Sequence, residues 1–214
     1  MRIVLSVTAA AAIAVLAAGC SVSGTPKPVA DLSRQVVPAA EFPSPGATAV
    51  PPAQVPGIVA DITLRPLRGD VDPARCTPAA VETGSAEVVV GPGPQPGSTL
   101  TEMVVRTSES LSAFASAAKE CATFTGGATG RQVVTTAIVS GPTAQNGADR
   151  IQIVRTLASP GAPESVTTLD QWIAQRGDVR VVVQLRYLGA ADAAARATTA
   201  EFFETAVARA FGGG

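Results

Sequence analysis

The stretch SVTTLDQWIAQRGDVRVVVQLRYL, Ser165–Leu188, decides the fold. It holds two runs rich in β-branched and aromatic residues, Ser165–Gln175 and Val179–Leu188, with Gly177-Asp178 between them as a two-residue turn. That turn sets the register. Arg176 pairs with Val179, Ala174 with Val181 and Trp172 with Val183. Side chains alternate across a strand, so Trp172, Ala174, Val181, Val183, Leu185 and Tyr187 share one face. Gln171, Gln175, Arg180, Gln184 and Arg186 share the other. One apolar and one polar face is the pattern of an antiparallel hairpin with a core side and a wet side. The polar face is therefore expected to meet solvent, and Arg180, Gln184 and Arg186 are its candidate ligand-binding residues.

Working outward, four more strands are predicted at 86–90, 100–106, 132–140 and 150–157. A helix is predicted over Ser108–Cys121, capped by Ser108 and stopped by Gly126-Gly127, with Leu111, Phe114, Ala115, Ala118 and Cys121 on one face. A final helix, Ala190–Phe211, carries Phe203, Ala206, Val207, Ala210 and Phe211 at core-facing spacing. The order β-β-α-β-β-β-β-α implies an α+β domain: a twisted, mainly antiparallel sheet of about six strands with two amphipathic helices packed on it.

The N-terminus fixes the expected location. Met1-Arg2 is a minimal positive start, and Ile3–Val15 is an apolar run of signal-peptide length, too short to span a bilayer as a mature helix. It ends in Leu16-Ala17-Ala18-Gly19-Cys20, which resembles the bacterial lipobox. In such signals the cysteine thiol takes a diacylglycerol, and cleavage makes that cysteine the first residue. Residues 1–19 thus read as a lipoprotein signal peptide and Cys20 as the lipidation site. Two or more acyl chains, palmitate among them, hold a protein firmly on a membrane. The expected location is the outer, extracytoplasmic face of the cell membrane. Eight prolines between Pro26 and Pro56 make residues 20–56 read as an extended tether, with a short helix near Asp31–Val37. The folded domain is then 57–211, about 155 residues, enough for one core. Residues 212–214 form a tail.

Outside the cytoplasm thiols oxidise. Lipidation of Cys20 leaves Cys76 and Cys121, and one disulfide is the economical reading. It would close a loop of roughly 45 residues, for which chain entropy gives about 4 kcal/mol. Cys121 at the helix end would pin the Cys76 loop to the core.

Composition narrows the function. There is no histidine, so no ordinary Ser-His-Asp or Cys-His triad and no usual zinc set. Glu201 and Glu204 lie three apart on a predicted helix and read as solvated. Arg176-Gly177-Asp178 reads as turn chemistry rather than a recognition tripeptide. No metal, cofactor or catalysis is expected. The formal charge is −1, and −2 once Arg2 leaves with the leader. With no basic stripe and 4% aromatic residues, nucleic-acid binding has no support.

The leader with its lipobox, the Pro-rich tether, the DPARC loop at Asp72–Cys76 and the SAFASAAKEC helix at Ser112–Cys121 resemble actinobacterial, chiefly mycobacterial, cell-envelope lipoproteins. Their folded part is similar to the extracellular sensor domain of the PknH serine/threonine kinase. This chain differs from that domain in having one cysteine pair rather than two and no kinase segment. The resemblance implies a membrane-anchored, non-enzymatic, sensor-like binding module for an unidentified envelope ligand or protein. The second reading is a lipid or glycolipid carrier, which requires an enclosed apolar cavity.

Overall fold

The computed structural model describes residues 31–128, 131–159, 161–190 and 192–212. The leader and Cys20 lie outside the described residues. Eight strands form one antiparallel sheet: β1 Thr48–Ala49, β2 Glu87–Pro92, β3 Thr99–Arg106, β4 Thr123–Gly126, β5 Gln132–Gln145, β6 Ala148–Ser159, β7 Ala162–Arg176 and β8 Val179–Leu188. Their order across the sheet is β1-β2-β3-β8-β7-β6-β5-β4. The helices are α1 Val55–Thr63, α2 Leu111–Glu120 and α3 Ala193–Phe211. No helix among the described residues is long and apolar enough to cross a membrane.

The α+β class and the antiparallel sheet hold, but among the described residues the sheet has eight strands and there are three α-helices, against the six and two read from the sequence. The hairpin register is the predicted one: Arg176 opposes Val179, Ala174 opposes Val181 and Trp172 opposes Val183. Gly177 takes φ +61°, which a glycine adopts without strain. A second hairpin joins β5 to β6 through Asn146-Gly147, both at positive φ. Asn-Gly favours this turn, and it carries both strands beyond their predicted ends.

The expected wet face is a correction. β7 and β8 lie in the middle of the sheet, and both of their faces are covered. Trp172, Val183 and Leu185 pack under Phe202, Phe203 and Val207 of α3. The opposite face carries Ile173, Val182 and Met103 beneath α1 and α2. Gln171, Gln175, Arg180 and Gln184 are consequently buried, between 1% and 7% exposed.

The helices also start and stop differently from the sequence reading. Ser110, not Ser108, caps α2, its side chain accepting from the Ala113 N–H at 3.2 Å. Glu109 stays outside the helix because its carbonyl accepts from Gln175 and Arg180. α2 ends at Glu120, and residues 123–126, which include Gly126 of the predicted glycine stop, form strand β4. α3 begins at Ala193, capped by Asp192, whose carboxylate accepts from the Ala194 N–H. Its stripe includes Ala195, Thr199 and Phe202, while Ala210 and Phe211 are only partly buried.

The tether reading fails for residues 31–56. Prolines deny this segment helix and ladder hydrogen bonds but do not stop it docking. Leu32, Val37 and Phe42 are buried in the α3-side core. The Phe42 ring lies 4.6 Å from Phe202, and Glu41 meets Arg209 at 3.3 Å. Asp31–Val37 is turn rather than helix. β1 adds to the sheet edge, and α1 starts at Val55 with Pro56 in its first turn, where a missing N–H costs nothing.

One buried acid holds this segment. Glu102 of β3 is 0% exposed, and its oxygens accept from the Val37 N–H at 3.0 and 3.3 Å. Burial pushes its pKa up to about 8, against the Val37 bond and the Arg209 charge, which act downward. The folded protein therefore binds a proton that the unfolded chain releases above the ordinary glutamate range. Stability from this group is fully present below about pH 4.5 and is lost as pH rises to about 8. Glu102→Gln should melt higher than wild type at pH 8.5 and show a flatter melting temperature between pH 5 and 8. Equal pH slopes for the two proteins would remove Glu102 from this role.

Candidate functional site

α1 lies over β2 and β3, and α2 lies over β5 and β6. Between them, above β7 and β8, sits a cavity of about 190 Å³. The fourth side is the loop that carries Cys76. Cys76 and Cys121 form a disulfide across 45 residues of sequence, and both line the cavity. The bond joins the Cys76 loop to the end of α2, so the covalent staple is also a wall.

The lining is apolar apart from one group of polar side chains. Met103, Ile173, Val182, Phe114 and Phe124 supply the apolar surface. Arg155, Arg180, Glu109, Gln171 and Thr136 form that group, and Thr63, Arg75 and Thr77 add polar atoms on the side of α1 and the disulfide loop. Each nitrogen of the Arg180 guanidinium has a partner. Its Nε donates to Gln175 Oε1 at 2.9 Å, one terminal nitrogen donates to the Glu109 carbonyl at 2.9 Å, and the other meets the Glu109 carboxylate at 3.3 Å. Burial lowers its pKa, partly offset by Glu109.

Arg155 differs. It is 6% exposed, and among the described residues it has no hydrogen-bond or ion-pair partner; its Nε is buried and unsatisfied. Its guanidinium lies over Phe114 at 5.6 Å, and Arg180 lies over the same ring at 5.0 Å. A cation gains on an aromatic face, yet an in-plane N–H fork stays available there. Burial pushes the Arg155 pKa down to about 10, with Glu109 opposing and Arg180 reinforcing the fall. At neutral pH it still carries its charge.

Of the three candidates from the polar hairpin face, only Arg180 lines the cavity. Gln184 Oε1 accepts from Gln171 Nε2 at 2.6 Å, and Gln171 also donates to the Ile62 carbonyl at 2.8 Å. That pair satisfies the end of α1. Arg186 pairs with Asp61 of α1. Both are structural contacts, not free binding groups. Arg176 donates to the carbonyls of Asn146, Gly147 and Phe211, Asp178 pairs with Arg106, and Glu204 pairs with Arg150.

Sequence reasoning passed over Arg155. The signal was present: Ile151, Ile153, Arg155 and Leu157 alternate along β6 and face the core, so one arginine interrupts an apolar row. A buried charge at such a position needs a counter-charge or a purpose.

A buried base with a lowered pKa favours the unfolded state at neutral pH, and stability recovers only as pH rises above about 10. One pKa unit is about 1.4 kcal/mol, so the charge costs the fold on the order of 3 kcal/mol, offset in part by the Phe114 contact. Arg155→Met should therefore raise the melting temperature at pH 7. Arg180→Met should lower it, costing about 3–5 kcal/mol by stranding Glu109. Thermal denaturation of both variants checks this; a fall for Arg155→Met as large as for Arg180→Met would mean that Arg155 has a structural partner.

No family model matches this sequence, and no curated protein matches it. The chain is similar to a solved structure described as a putative uncharacterized protein (Rv0999 ortholog) from Mycobacterium smegmatis. The alignment covers 77% of this chain and 85% of that one, at 14% identity and a TM-score of 0.43.

Proposed function

We propose that this chain is a membrane-anchored, extracytoplasmic lipoprotein whose folded part is a non-enzymatic, sensor-like ligand-binding module of the cell envelope. The observation that carries the binding reading is the cavity between α1, α2 and the sheet, with the charge of Arg155, which has no partner among the described residues, in its wall. Preformed concave sites with apolar linings and a few placed polar groups are where small ligands bind. The leader and the lipobox at Cys20 support anchoring. The Cys76–Cys121 bond supports an oxidising compartment.

Cavity size favours this reading over a carrier for lipid or glycolipid. Drug-sized sites run from about 300 to 1,000 Å³, and this one holds about 190 Å³. Such a volume suits a small molecule better than a two-chain lipid. Extraction of natively purified protein followed by mass spectrometry should release a small compound; a stoichiometric two-chain lipid would return the carrier reading.

The anchor has its own test. Cys20→Ala should move the exported protein from the membrane fraction to the soluble one. Retention of the variant on membranes through a high-salt wash would contradict lipid anchoring.

A further inference from the structure

We propose that the cavity takes a small anionic ligand, a carboxylate or phosphate monoester carried on a compact apolar or aromatic group, whose oxygens bond the guanidinium of Arg155. This rests on the reading that the cavity is a binding site, and it adds the ligand's charge and shape.

The charges around the cavity decide the sign. Two guanidinium groups, Arg155 and Arg180, face it from the sheet, and one carboxylate, Glu109, faces it from the segment just before α2. Glu109 is committed to Arg180, which also takes the Glu109 carbonyl and Gln175. That leaves Arg155 as a net positive charge in a wall that is otherwise mainly apolar. Arg75, on the disulfide loop, adds a third cation at the exposed rim. A cationic ligand would meet repulsion from all three, and a neutral one would leave the charge unmatched.

The geometry specifies the rest. The Arg155 guanidinium lies over the Phe114 ring, and its N–H groups have no hydrogen-bond partner among the described residues, so they are left to donate. Two parallel N–H donors match the two oxygens of a carboxylate or a phosphate. Thr136 lies directly opposite Arg155 in the β5–β6 pairing and also lines the cavity, which places a hydroxyl donor beside the guanidinium. Beyond this polar corner lie Met103, Ile173 and Val182, an apolar floor for the body of the ligand.

Calorimetric titration of the full chain, with its disulfide intact, tests the proposal using benzoate, phenyl phosphate, benzyl alcohol, benzylamine and inorganic phosphate. Benzoate and phenyl phosphate are expected to bind at least about tenfold more tightly than benzyl alcohol, as a charge-assisted bond to a buried guanidinium requires. Benzylamine should be weakest, and the stronger of the two anions identifies the headgroup. Arg155→Met should lose about tenfold or more for the anions and leave benzyl alcohol unchanged; its melting curve, expected at or above wild type, separates lost binding from lost folding. Benzyl alcohol binding as tightly as benzoate would overturn the anion assignment while keeping the cavity as a site. Inorganic phosphate matching phenyl phosphate would overturn the apolar half of the assignment. Unchanged anion affinity in Arg155→Met would place the ligand elsewhere and overturn the proposal. No binding by any probe would overturn both the proposal and the site reading.

Discussion

The burial of both faces of the β7–β8 hairpin is the constraint on which the rest of the structure depends. These strands sit at the centre of an eight-stranded antiparallel sheet. One face meets α3 and the docked N-terminal segment; the other meets α1, α2 and the disulfide loop. The second face carries Gln171, Gln175, Arg180 and Gln184, and a buried polar group without a partner costs about 1–3 kcal/mol. Each of these four therefore reaches a partner at the end of a covering element: the Ile62 carbonyl of α1, the Glu109 carbonyl before α2, or one another. Polar satisfaction positions the helices, and the positions of the helices leave the cavity between them.

Two ionisable groups, one on each face, sit against the interest of stability. Glu102 holds the N-terminal segment and raises the cost of folding as pH rises. Arg155 keeps a charge buried with no ion-pair or hydrogen-bond partner among the described residues. Their local roles differ. Glu102 has its hydrogen-bond donor in the Val37 backbone, so its burial is explained by docking. Arg155 lies in a cavity wall beside an aromatic ring, and nothing among the described residues completes it. Sites that give up stability in this way are a common mark of function.

The sequence made some of this legible and hid the rest for identifiable reasons. Period-two alternation with a Gly-Asp turn was enough to place Trp172 opposite Val183. The same alternation misled about exposure, because glutamine and arginine on one face look alike whether they meet water or helix ends. No helix was read at Val55–Thr63: its first two residues fell in the proline-rich tether, and Pro56, which sits in its first turn, looked like linker chemistry. Leu32, Val37 and Phe42 are too widely spaced to announce that the segment docks. Thr123–Gly126 is too short a strand to stand out beside a glycine pair. Asn146-Gly147 was a readable hairpin turn that was passed over. Of the site, Arg180 was found for the wrong reason, as a solvent-facing group, and Arg155 was missed although it interrupts an apolar row.

The most direct measurement is nuclear magnetic resonance of the arginine side-chain Nε–H groups during benzoate addition. The Arg155 signal can be assigned by its loss in Arg155→Met, and the Arg180 signal by its loss in Arg180→Met. If the covered face leaves Arg155 alone without a partner, its signal should shift progressively with benzoate while that of Arg180, held by Gln175 and Glu109, stays nearly fixed. An Arg155 signal that stays still while benzoate binds would show that the buried charge serves the fold and not a ligand.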